Sequence, residues 1–312
     1  MASRAAARYA SAMSKPILCV GALAMDTIFR LESLPDRPGK FLPLEAVDVA
    51  EGMAAAQAAS IARLGGAAAL WASAGDDAIG DRLVAQIAAE GVDCALVRRV
   101  AGARSGFSSI FMDVRGERMI VPKYDADLMA PPRAAPDLSG FAAVMVDVRW
   151  PGAAELALRA ARAAGLPGIL DADVGPRDVI ERLVGLASHV VASEGGAALL
   201  TGARTPQQAA ARLSSGHAGF FAVTAGEQGC WWGAGGTVRH TPAPQVEAID
   251  TLAAGDVFHG AFAFGLVAGW PMAETLRFAS AAAALKCTRF GGRLGAPTRA
   301  EVEAFLAAQE ST

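Results

Sequence analysis

Short apolar runs alternate along the chain with longer alanine-rich stretches whose apolar residues recur at helical spacing. The run Pro16-Ile17-Leu18-Cys19-Val20-Gly21 reads as a buried strand feeding a loop, and Asp26 lies just beyond its end. Helical spacing over residues 54–64, an apolar run over 67–72 and helical spacing over 79–90 follow. The alternation continues through 143–148, 153–164, 168–171, 189–192 and 220–224. Strands and helices in this order predict an α/β fold, a mostly parallel sheet covered by helices on both faces. Residues 27–50 and 105–124 break the pattern, because apolar and polar positions alternate there at short range. A turn at Val114-Arg115-Gly116-Glu117 joins 108–113 to 118–123. These two stretches predict a small antiparallel sheet that covers a ligand cleft, offers a dimer surface, or does both.

Length and composition narrow the classes. A chain of 312 residues suits one enzyme-sized domain, read here as 15–312 with lid segments at 27–50 and 105–124. Hydrophobic residues make up 53%, but much of that is alanine. The most membrane-like stretch, 257–273, begins beside Asp256, carries His259 and is interrupted by Gly269 and Pro271, which predicts a buried core helix and no span. A net charge of -3, with both signs spread along the chain, leaves no basic stripe for nucleic acid. Cys19, Cys94, Cys230 and Cys287 are too scattered for a metal site, and fit a reduced cytoplasm. Residues 1–14 hold Arg4, Arg8, Ala and Ser without an acid, the composition of an organellar transit peptide. With no apolar core of their own they are read here as a disordered tail, or as upstream of a start at Met13.

The segment richest in chemistry is Asp250-Thr251-Leu252-Ala253-Ala254-Gly255-Asp256, just ahead of an apolar helix. Small residues there let the backbone approach a ligand closely, and the first free N–H groups of the helix make an anion site. A carboxylate at Asp256 is placed to accept a proton from an attacking hydroxyl while those N–H groups stabilise a transferred phosphoryl group. The plain alternative is that Asp256 caps the helix.

In its longer context the string resembles the second signature of the ribokinase-like (PfkB) carbohydrate kinases, usually Asp-Thr-x-Gly-Ala-Gly-Asp, with Ala253 where glycine is commonest. Glu51-Gly52-Met53-Ala54-Ala55-Ala56-Gln57-Ala58-Ala59, Arg63-Leu64-Gly65-Gly66 and Gly75-Asp76-Asp77-x-x-Gly80 are similar to the first signature, and Gly116-Glu117-Arg118 to the lid hairpin. The resemblance implies a ribokinase-like fold and an ATP-dependent kinase that uses Mg2+. It implies Asp256 as base, Ala253, Ala254 and Gly255 as the anion hole, and Asp26, Gly52 and Gln57 on the sugar. Thr224-Ala225-Gly226-Glu227-Gln228-Gly229 resembles the nucleotide loop, which assigns Thr224, Gly226 and Gly229 to ATP; Ser193 joins them. The family's Asn-x-x-Glu, linked to magnesium and phosphate, reads Ser193-Glu194-Gly195-Gly196, so no metal ligand is assigned.

Within that family Val146-Asp147-Val148-Arg149-Trp150, the stretch 279–289 and Gly291-Gly292-Arg293-x-Gly295-x-Pro297 resemble the sulfofructose kinase branch. That resemblance implies an anionic ketose such as 6-deoxy-6-sulfofructose, gripped by Lys40 and Arg149; the third gripping position falls near Pro122, beside Lys123. Fructose or another neutral sugar, a phosphosugar and 2-keto-3-deoxygluconate are the alternatives, with a turnover-free sugar or nucleotide sensor, or a nucleoside or vitamin kinase, behind them. Families of this kind commonly form homodimers through their lid sheets.

Overall fold

The computed structural model describes residues 15–310, so the tail expected at 1–14 lies outside the described residues. The strands are β1 (Ile17–Gly21), β2 (Ala24–Leu31), β3 (Glu45–Glu51), β4 (Ala68–Gly75), β5 (Arg98–Val100), β6 (Gly106–Asp113), β7 (Arg118–Lys123), β8 (Ala143–Val146), β9 (Gly168–Ala172), β10 (His189–Ser193), β11 (Phe220–Thr224), β12 (Cys230–Gly233) and β13 (Arg239–Thr241). The helices are α1 (Met53–Arg63), α2 (Ala78–Ala89), α3 (Pro151–Ala163), α4 (Arg177–Val184), α5 (Glu194–Thr201), α6 (Pro206–Gly216), α7 (Ala254–Val267), α8 (Met272–Cys287) and α9 (Arg299–Glu310). Every apolar run read as a strand is one.

A nine-stranded sheet runs β13-β12-β11-β10-β9-β8-β1-β4-β5. It is parallel from β5 to β11, and only β12 and β13 pair antiparallel. Strands buried on both faces explain why β1, β4 and β8 are apolar or small throughout, and β9 is so except for Asp171. One face packs on α1, α7 and α8 through residues such as Ile61, Phe258, Phe262 and Leu276. The other packs on α3, α4 and α6 through Trp150, Leu158, Ile180 and Leu213. Alanines buried along α1 and α7 let those helices approach closely, and a Cβ at Gly260 would stand 2.8 Å from Gln57 O.

The 257–273 stretch is two helices, because Gly269 takes φ 73° and Pro271 precedes α8. Among the described residues no helix is long and apolar enough to cross a membrane. The second sheet, β3-β2-β6-β7, covers one end of the large one. Its outer pairs are antiparallel and its central pair, β2 with β6, is parallel. Asp26 is therefore on a strand of the second sheet, paired to Val49 and Ser108.

Candidate active site

The large sheet reverses its strand order at β1, which has β4 on one side and β8 on the other. The crevice beyond the carboxyl ends of such neighbouring strands is where open α/β sheets bind ligands. Here it is organised by Asp147, at the end of β8 and fully buried. Its carboxylate accepts N–H groups from Ala22 (2.8 Å), Ala54 (3.1 Å) and Arg149 (2.7 Å), joining the end of β1, the start of α1 and the loop after β8. No side chain fits at position 21, where a Cβ would overlap the Asp147 carboxylate.

The chain returns to this crevice at 250–256. The Asp250 carboxylate accepts Leu252 N–H at 2.7 Å and turns the backbone sharply. Ala253 follows at φ 60°, the only non-glycine with positive φ among the described residues. A left-handed alanine costs about 1–2 kcal/mol, and such strain persists where surrounding bonds over-determine it. Helix α7 starts at once, so the N–H groups of Ala254, Gly255 and Asp256 lie in its first turn, which lacks intrahelical acceptors; Ala254 N–H donates to Thr251 O at 3.3 Å.

Two cavities meet on this segment. The first, about 370 Å³, is lined by Thr224, Gly226, Gly229, Thr251, Ala254 and Gly255, with the 243–248 loop and Ser280, Ala284 and Cys287 of α8 closing its far side. The second, about 440 Å³, is lined by Asp26, Glu51, Gly52, Arg149, Ala253 and Asp256, and is roofed by Ser108, Ile110, Ile120, Pro122 and Tyr124 from the lid side. The segment is thus a thin partition: Ala254 and Gly255 face one cavity, Ala253 and Asp256 the other.

The second cavity is acidic. Burial, reinforced by Asp171, Glu51, Asp147 and Asp173, holds the Asp256 carboxyl well above its usual range, which makes its carboxylate a stronger base. Burial pushes Asp26 up to about 6 against a lowering bond from Ser108. Glu51 is pushed up to about 8 by burial, although its carboxylate accepts Arg293 N–H at 2.6 Å. Behind Asp256 lies a closed polar group. His259 Nδ1 is 2.7 Å from Gly255 O, which can only accept, so Nδ1 carries a proton. His259 Nε2 stands 3.3 Å from Asp171, whose other oxygen accepts the Gln57 amide at 2.7 Å. Burial lowers His259 and raises Asp171, which favours the uncharged form of each, while Val191 O, 3.2 Å from Nε2, favours a proton on that nitrogen.

The candidates read from sequence divide. Asp26, Gly52, Arg149, Ala253 and Asp256 meet in the second cavity, and Thr224, Gly226, Gly229, Ala254 and Gly255 in the first. Gln57 lines neither cavity and is fully buried, donating its amide to Asp171. Ser193 lines neither cavity: its hydroxyl caps α5 and donates to Asp173 at 2.8 Å. Asp173 in turn holds Arg149 at 2.9 Å, with Val174 O taking a second guanidinium N–H at 2.8 Å. Lys40 is exposed in the β2–β3 loop, away from the cavity lining, because the apolar lid residues and not this loop form the roof. Glu51, Ser108 and Tyr124 were not singled out from sequence. Glu51 carries a local signal, a carboxylate directly ahead of a glycine that opens a helix.

The sequence profile described as pfkB family carbohydrate kinase matches residues 14–299. Ribokinase of Bacillus subtilis is 28% identical, over 93% of this chain and 99% of its own length. Fructokinase of Klebsiella pneumoniae is 28% identical, over 88% of this chain and 96% of its own. Among solved structures, an Agrobacterium tumefaciens protein provisionally named a ribokinase superposes with a TM-score of 0.92 at 47% identity, covering 95% of this chain and 99% of that one. The Arabidopsis thaliana ribokinase solved with ribose and ATP gives 0.79 at 26% identity, covering 94% and 98%. The crevice at the strand reversal, the partitioned pair of cavities and the profile match agree, and the chain belongs to the pfkB family of carbohydrate kinases as an ATP-dependent sugar kinase.

Proposed function

We propose that ATP occupies the first cavity, that a sugar hydroxyl enters the second, and that Asp256 is the base between them. The observation that carries this reading is the partition: consecutive residues of one short segment face the two cavities in turn. Asp256 removes the hydroxyl proton as that oxygen bonds to the γ-phosphorus and the bond to the β–γ bridging oxygen breaks, releasing ADP. The first-turn N–H groups of α7 stabilise the charge on the phosphoryl oxygens in flight. Thr224, Gly226 and Gly229 border the nucleotide, while Asp26 and Gly52 meet the sugar. Lid strands β2, β6 and β7 exclude water as they close.

Among the described residues no group of three metal-ligating side chains stands ready for a metal. That suits magnesium, which is held largely by phosphate oxygens and its own waters. Magnesium supplies charge neutralisation on the phosphates; no protein ligand is assigned.

The acceptor we favour is an uncharged sugar, fructose or a pentose. Asp26, Glu51 and Asp256 surround its cavity with carboxyl oxygens that suit hydroxyl donors, and the one arginine in the wall is already paired with Asp173. The anionic ketose is the second reading, favoured by Arg149 lying in that wall but deprived of Lys40. Exposed Phe41, Leu42, Leu44, Met119 and Val121 on the lid side support a lid-to-lid homodimer, which sedimentation tests. ADP release with ATP and magnesium over ribose, fructose, fructose phosphates, sulfofructose and 2-keto-3-deoxygluconate tests the function. Preference for a neutral sugar supports this reading, preference for sulfofructose restores the second, and silence with ATP bound favours a sensor.

A further inference from the structure

Lys286 and Asp250 form an ion pair with both side chains fully buried, Nζ 3.0 Å from Oδ2. The same ammonium donates to Asp250 O at 2.7 Å, so it grips one residue by side chain and backbone. Asp250 is otherwise satisfied: Oδ2 accepts Gly291 N–H at 2.9 Å and Gly292 N–H at 3.0 Å, and Oδ1 accepts Leu252 N–H. The carbonyl of Cys287, next to the lysine, takes the N–H groups of Ile249 and Asp250. The end of α8 is thereby stitched to the strand of chain that leads into the partition.

Stability alone does not call for this arrangement. Desolvating a lysine is costly, burial pulls its pKa down, and buried ion pairs can often be replaced by apolar groups without loss. The lysine sits where it does for what lies two and three residues beyond Asp250: the Leu252 N–H fixed by the carboxylate, then the left-handed Ala253. An alanine in that conformation relaxes unless its neighbours are held from outside. The pair supplies that hold without lining either cavity, although its chain neighbours Thr251 and Cys287 line the first.

We propose that Lys286 is a positioning residue for phosphoryl transfer: its buried ammonium fixes Asp250, keeps the strained turn at Ala253 in register, and so aims the first turn of α7 at the transferred group. This rests on the reading of that turn as the phosphoryl site and extends it to a residue that touches no substrate. Misplacing such donors by about 1 Å costs on the order of a hundredfold in rate.

The test compares Lys286→Met with the wild type. The variant is expected to lose about a hundredfold in kcat while KM for ATP and for sugar moves by less than about threefold. Ammonium, the size of the Nζ that methionine lacks, is expected to restore turnover in the variant and to leave the wild type unchanged. Adding Ala253→Gly, which removes the left-handed penalty, is expected to recover part of the loss. Lys286→Gln, which keeps an N–H for Asp250 O, is the second variant should the methionine protein not fold. A kcat within about threefold of wild type, or a loss that follows the melting temperature and ignores ammonium, overturns the proposal. The wild-type sugar panel judges the kinase reading separately. Without an acceptor, the variant to wild-type ratio of ATP hydrolysis still judges the clamp.

Discussion

The Arg149→Ala substitution tests whether the acceptor cavity is built for charge. Arg149 is 39% exposed and its partner Asp173 32% exposed, so solvent screens the pair and its contribution to stability is under about 1 kcal/mol. The second bond, to Val174 O, adds about 1 kcal/mol at most. The folding cost is therefore at most about 2 kcal/mol, a fall in melting temperature of no more than a few degrees. The substrate effect follows from the same geometry. With a carboxylate 2.9 Å from the guanidinium, an incoming anion meets a dipole and not a free charge. We expect kcat/KM to fall less than about tenfold, about 1.4 kcal/mol, and by similar factors on neutral and anionic sugars. Asp173→Asn should release the arginine and raise relative turnover of the anionic sugar. Steady-state kinetics on a matched pair, fructose and sulfofructose, reads both variants. A loss of a hundredfold or more confined to the anion refutes the argument and reinstates Arg149 as a sulfonate ligand.

A Cβ at Gly196 would overlap the Ala172 carbonyl oxygen, so Gly196→Ala must push α5 off β9 and drag Ser193 from Asp173. The overpacking should cost about 1–3 kcal/mol, visible as a lower melting temperature, and an unchanged transition would contradict it. Glu51 binds a proton in the native state up to about 8, against an ordinary 4.5 when unfolded. Because the native state holds more protons between those values, its contribution to stability is complete below about 4.5 and is lost as pH rises toward 8. Glu51→Gln should flatten that part of the stability profile in denaturant titrations; an identical slope would show that Glu51 is ionised in the fold.

How much of this was visible in the sequence depends on how far each partner lies along the chain. Strands β1, β8, β10 and β11 are local apolar runs, and the 250–256 segment is a contiguous string, so both were legible. Glu51 shows only its local signal ahead of Gly52, because the group that holds it in the cavity wall is the backbone of Arg293, 242 residues away. Gln57 was read as a sugar ligand, yet Asp171, 114 residues on, takes its amide, and it lines neither cavity. Lys40 sits in a loop whose course local pattern does not determine, and the loop carries it into solvent. The departure at Ser193-Glu194-Gly195-Gly196 became intelligible only with β9 in place, since the Ala172 carbonyl leaves no room for a side chain at position 196. The 257–273 stretch reads as one core helix because its apolar content runs on, although Gly269 and Pro271 already mark the place where the structure divides it into α7 and α8.

The most direct test of the central claim is the rate of ADP release from Asp256→Asn with ATP, magnesium and the preferred sugar. The amide keeps the shape of the partition but accepts no proton, so ATP and sugar should bind as in the wild type while turnover falls by about 10²–10⁴-fold. Turnover close to that of the wild type, with both ligands bound, would remove Asp256 as the base and with it this account of the two cavities.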